Sequence, residues 1–83
     1  MNIAFVLINT EIGAEKDIAK EILNINGVEE AYVIYGVYDI IAKVKAENLD
    51  KLKEIITLKI RRMEKVRSTL TMIVVEEGKR KEV

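Results

Sequence analysis

The chain has 83 residues, with 14 Lys plus Arg balanced by 14 Asp plus Glu, and it contains neither cysteine nor histidine. That composition excludes disulfides, thiolate metal sites and imidazole acid–base chemistry, and a net charge of zero leaves no basic excess for a nucleic-acid backbone. A chain this short hides only about 60–65% of its unfolded surface, so association with further copies is the route left to more apolar burial.

The first element is expected over Asn2–Thr10, a continuous apolar run rich in Ile, Val and Phe. It reads as a central strand buried on both faces. It is too short for a signal peptide, and no apolar run approaches the roughly 20 residues of a bilayer span, so a soluble cytoplasmic protein without membrane contact is expected. After a break at Glu11–Gly13, Ala14–Asn24 carries helix period. Ile18, Ile22 and Ile25 line one side, and Glu15, Lys16 and Lys20 stay wet. Asn26-Gly27 ends that helix, with glycine at the left-handed position.

A β-hairpin is predicted next, Val28–Tyr35 into Tyr38–Lys45. Gly36 is assigned the first corner of a type II′ turn and Val37 the second. Ala31, Val33 and Tyr35 point one way, Tyr32 and Ile34 the other. Beyond the turn Ile40, Ala42 and Val44 share a face, and Asp39, Ile41, Lys43 and Lys45 take the opposite one. A solvated antiparallel sheet alternates cleanly between apolar and polar residues. This hairpin does not, so both faces are expected to be at least partly covered.

Asn48 is a good N-cap for a second helix, with Asp50 in its first turn. Leu49, Leu52, Ile56, Ile60 and Met63 form its core stripe, and Arg61 and Arg62 suit the negative end of its dipole. Ile55 and Leu58 lie off the stripe, as ordinary partial burial or as part of a subunit contact. The last strand is expected over Val66–Glu76, with Leu70, Met72 and Val74 on one face and Arg67, Thr69, Thr71 and Ile73 on the other. Residues 1–77 make one domain, and 78–83 form a charged tail that frays.

The order strand, helix, strand, strand, helix, strand, with right-handed crossovers, predicts an α+β fold of the ferredoxin-like βαββαβ type. Both helices then lie on one face of an antiparallel sheet. The other face presents Phe5 or Val6, Tyr32 or Val33, Ile41 and Ile73. So much bare apolar surface invites a sheet-on-sheet dimer.

The fold itself names no function. There is no glycine-rich phosphate loop, no basic-Gly-aromatic RNA-binding motif on the third strand, no paired cysteines and no catalytic triad. No metal or cofactor is expected. The pairs Glu29–Glu30 and Glu76–Glu77 are adjacent on strands, point to opposite faces and read as solvated charges. Two features remain. Gly36-Val37-Tyr38-Asp39 is a tight turn with one acid beside it, which suits a zwitterion: backbone N–H groups take a carboxylate and Asp39 an ammonium. The alternative is that Asp39 merely closes the turn and Tyr38 packs. Thr69 and Thr71 place two hydroxyls on one face of the last strand, for a small polar ligand or for ordinary cross-strand pairing.

Taken together, Val28…Gly36-x-Tyr38-Asp39 followed by Val66-Arg67-Ser68-Thr69-x-Thr71 resembles the effector-binding domain of the leucine-responsive regulator/AsnC family, over roughly residues 2–76. The resemblance implies the same fold, an αβ-sandwich dimer formed through the sheets, and rings of dimers such as octamers. It implies amino acid effectors held between dimers, with Gly36, Val37, Tyr38 and Asp39 at the turn and Thr69 and Thr71 on the last strand. Val37 stands where the family often has a polar residue. Family members usually carry a helix-turn-helix domain ahead of this one. With the first strand starting at residue 2, the stand-alone form is expected, acting indirectly on transcription, without direct nucleic-acid contact, and beside full-length regulators of the family. The expected protein is a non-enzymatic oligomeric sensor. A small dimeric α+β barrel enzyme, a purely structural oligomer and a stand-alone DNA binder are the alternatives.

Overall fold

Apolar side chains at alternate positions of the first strand organise the core. A computed structural model describes residues 1–80 of the chain. Strand β1 (Asn2–Thr10) is followed by helix α1 (Glu15–Ile22), strands β2 (Val28–Val33) and β3 (Ile40–Ala46), helix α2 (Leu49–Glu54) running into a π-helical segment (Ile55–Ile60), and strand β4 (Val66–Ile73). The sheet order is β2-β3-β1-β4 and every neighbouring pair is antiparallel. This is the ferredoxin-like βαββαβ arrangement expected from the element order. Gly78–Arg80 are exposed and lack regular structure, and the rest of the expected 78–83 tail lies outside the described residues.

One face of the sheet is closed by the helices. Ala4, Val6, Ile8, Ile40, Ala42 and Val44 are fully buried there against Ile18 and Ile22 of α1 and Leu52, Ile56 and Ile60 of the second helix. The last three are spaced by four, and such a row drifts about 40° per step around a 3.6-residue helix. The backbone takes up the drift by widening: Arg61 N–H donates to the carbonyl of Ile56 at 2.9 Å, five residues back. Leu49 and Met63, at the ends of the expected stripe, are only partly covered. Asn48 caps the helix as expected, its Oδ1 accepting from Lys51 N–H at 2.8 Å. Helix α1 is shorter than its periodic pattern. Its last turn tightens through Asn24 N–H to Glu21 and Ile25 N–H to Ile22, and Gly27 takes a φ of +103°.

The other face is not closed. The expectation that β1 is buried on both faces is corrected: Phe5 and Leu7 are half-buried, because the described chain lays no helix over them. Register decides which residues stand there. Tyr32, Ile41, Leu7 and Leu70 form one apolar row across all four strands, and Met72 lies opposite Phe5. Phe5 and Tyr32 thus occupy the open face rather than Val6 and Val33. Ile73 does not, since it pairs with the buried Ala4 on the helix side. Leu70 and Met72 take the place expected for it.

The hairpin also differs. Strand β2 ends at Val33, opposite Ile40, and residues 34–39 form a loop in place of a two-residue turn. Gly36 has no positive φ, so no type II′ corner exists. The cause is Asp39, whose N–H donates to Ile8 of β1 at 3.0 Å. The chain is thereby drawn towards β1 before it can close tightly on β2. A bulge between Val28 and Glu30 overrides the opposite-face rule for the acidic pair. Glu29 and Glu30 both reach Lys43 at 3.8 Å, and Glu29 reaches Lys45 at 3.9 Å. Among the described residues no helix is long and apolar enough to cross a membrane.

Candidate functional site: the loop between β2 and β3

The loop of residues 34–39 projects from the end of the sheet where β1 finishes and β3 begins. Ile34 N–H donates to the carbonyl of Asp39 at 2.9 Å and closes its base. Tyr35 and Val37 are almost fully exposed, at 107% and 87%, while Tyr38 and Asp39 are half-buried. A Cβ placed on Gly36 would meet nothing within 4 Å, so the backbone there is open to approach. Asp39 Oδ2 accepts from the N–H of Thr10 at 2.9 Å. Of the six residues expected to form the site, Gly36, Val37, Tyr38 and Asp39 are therefore brought together in one loop.

Thr69 and Thr71 are not joined to that loop. Thr69 pairs with Ile8, and Ile8 pairs on its other side with Ile40. Thr71 pairs with Val6. The hydroxyls thus stand on the helix side of β4, two strand spacings or about 10 Å from β3. Thr69 is half-buried and Thr71 exposed. Within one protomer the loop and the Thr69 and Thr71 hydroxyls are thus separated by β1.

Thr10 is the residue that the sequence reading overlooked. It is a buried polar residue, 5% exposed, and its hydroxyl donates to the carbonyl of Glu11 at 3.1 Å. The signal was a hydroxyl residue ending an otherwise apolar run. On the open face, Tyr32 donates to Glu30, and this hydrogen bond together with the charge of the carboxylate raises the Tyr32 phenol above its usual 10.0. A cleft of about 700 Å³ lies at the opposite end of the sheet, between Gly27, Lys45, Ile55 and Leu58. Leu58 is 44% exposed beside it, whereas Ile55 packs against the core. Among the described residues no three acidic side chains gather to hold a metal ion.

Comparison with known proteins gives this geometry a context. The Lrp/AsnC ligand binding domain matches residues 3–83. An HTH-type transcriptional regulator of Pyrococcus furiosus is 36% identical over 73 residues, which are 84% of this chain and 49% of that protein. The chain thus spans about half the length of such relatives. A homocitrate synthase of Saccharolobus islandicus is 47% identical over 53 residues, 64% of this chain but 11% of the enzyme. Among solved structures, a hypothetical protein of Pyrococcus horikoshii superposes with a TM-score of 0.86 at 43% identity, covering 93% of both chains. A transcriptional regulator of Neisseria meningitidis, solved as a complex with L-methionine, has the same fold, with a TM-score of 0.84 at 15% identity over 95% of this chain and 53% of its own. The motifs on the loop and on β4, the βαββαβ architecture and these matches agree: the chain belongs to the Lrp/AsnC ligand-binding domain family.

Proposed function

We propose that the protein is a non-enzymatic, oligomeric sensor that binds an amino acid or a similar small zwitterion at a seam between copies. Residues 1–77 form the binding and oligomerising unit. The loop that carries Gly36, Val37, Tyr38 and Asp39 forms one side of the site, and Thr69 and Thr71 of a neighbouring copy supply the other. The dimer forms through the open sheet face, and dimers assemble into a ring such as an octamer.

The observation that carries this reading is the apolar row Tyr32–Ile41–Leu7–Leu70, left bare on a domain of a ligand-binding family. The separation of the two half-sites within one protomer supports placement at a seam. Support for the ligand class comes from the methionine complex of the N. meningitidis regulator. The match to a short part of an enzyme supports a portable module, used beside other activities rather than performing one. A net charge of zero supports indirect action, through co-assembly with full-length regulators rather than direct contact with nucleic acid. A ligand held only by the assembled form stabilises it by mass action.

Calorimetric titration of the assembled protein with each of the twenty amino acids tests the proposal, with sedimentation velocity run in parallel. Heat from at least one amino acid and a larger particle in its presence are expected. A monomer at micromolar concentration that gives no heat with any of them would overturn the reading.

A further inference from the structure

Pairing between β1 and β3 stops at Ile8–Ile40. Two residues further along β1, Thr10 directs its N–H to the same side, and Thr10 is buried. No strand stands opposite it there, because the chain before Ile40 has already turned into the loop. A buried backbone N–H needs an acceptor. Asp39 Oδ2, at 2.9 Å, takes the place of the missing strand carbonyl. The same residue gives its own N–H to Ile8 at 3.0 Å and accepts from Ile34 at 2.9 Å. The Thr10 and Ile8 bonds tie the loop to β1, and the Ile34 bond closes the loop on itself.

We infer that Asp39 is a positioning residue: its carboxylate pins the loop of residues 34–39 to the end of β1 through the Thr10 N–H and is not chiefly the partner of a ligand ammonium. The inference deepens the proposed function and rests on its placement of the effector at this loop. Held at both ends by one residue, the tip presents Gly36 and the side chains of Tyr35 and Val37 in a fixed attitude before any ligand arrives. Such preorganisation removes the ordering cost that a mobile loop adds to binding. The carboxylate supplies geometry, and an uncharged oxygen in the same place does the same.

Two variants of the full chain separate the roles. Asp39→Asn keeps an acceptor oxygen but removes the charge; Asp39→Ala removes both. Exchange of the Thr10 amide with deuterium is followed by NMR, and each of the twenty amino acids is titrated by calorimetry. For Asn, Thr10 protection and the affinity for any amino acid that binds the parent chain are expected to stay within about threefold; for Ala, each is expected to fall about tenfold or more. Far-UV circular dichroism establishes that both variants are folded, and the Asn variant carries the test if the Ala variant is not. Two outcomes overturn the inference: loss of affinity in Asn with Thr10 still protected, which gives the charge to the ligand, or full Thr10 protection in Ala. If no amino acid binds the parent chain, the proposed function fails, while Thr10 exchange still decides whether Asp39 pins the loop.

Discussion

Gly27 carries two demands that no other residue type meets together. Its φ of +103° lies where side chains are rarely tolerated, and an added Cβ would stand 2.6 Å from Ile55 Cδ1 and 3.0 Å from the Lys45 carbonyl oxygen. Its own carbonyl accepts from Lys45 N–H at 2.8 Å, so the turn cannot shift freely to make room. Gly27→Ala is expected to destabilise the fold by about 2 kcal/mol, read as a lower urea midpoint at unchanged slope. A second test concerns Tyr32. Donation to Glu30, reinforced by the charge of that carboxylate, raises the phenol above 10.0, so the folded state holds the proton more tightly than the unfolded state does. This contribution to stability is present below pH 10.0 and is lost as pH rises through the folded-state value. Spectrophotometric titration of the parent chain should include a phenol above the usual range, and in Glu30→Gln that phenol should return towards it.

Among the elements, the second helix depends most visibly on local chemistry. Asn48 sits in an extended conformation and closes the first turn on Lys51 N–H, so Asn48→Ala is expected to cost about 1 kcal/mol, measured as a fall in thermal midpoint with the fold retained. The apolar positions, the cap and the start of this helix were legible because they follow from periodicity and from the orphan N–H groups at a helix terminus. Its π-helical continuation was not. That choice is made when Leu52, Ile56 and Ile60, all at spacing four, must reach one sheet surface together. The β2–β3 connection was misread for a similar reason. Gly36-Val37 has the composition of a tight turn, but its geometry answers to Ile8 and Thr10, distant in sequence.

At the scale of the whole molecule, one sheet face is filled and the other is not. Tyr32 and Leu70, at opposite ends of the bare apolar row, are 55% and 46% exposed. In the proposed sheet-to-sheet dimer, burying that row hides apolar area worth about 25 cal/mol per Å². Leu70→Glu is therefore expected to leave the protomer folded and to shift the assembly to monomer in sedimentation velocity. The charged corner of Glu29, Glu30, Lys43 and Lys45 lies beside the row on the same face. Its pairs are partly exposed and contribute little to the stability of the lone protomer.

By itself the sequence determined the βαββαβ order, the helix-facing residues of β3, and the left-handed backbone position at Gly27. Each follows from side-chain period or backbone sterics within a few positions of the chain. Tertiary structure alone decided the register that sets Leu70 and Met72, not Ile73, on the open face. It also decided the bulge that brings Glu29 and Glu30 to one lysine, and the use of Asp39 as an acceptor for Thr10. Those choices depend on which distant strand stands alongside, and only the folded sheet brings the partners within hydrogen-bond reach.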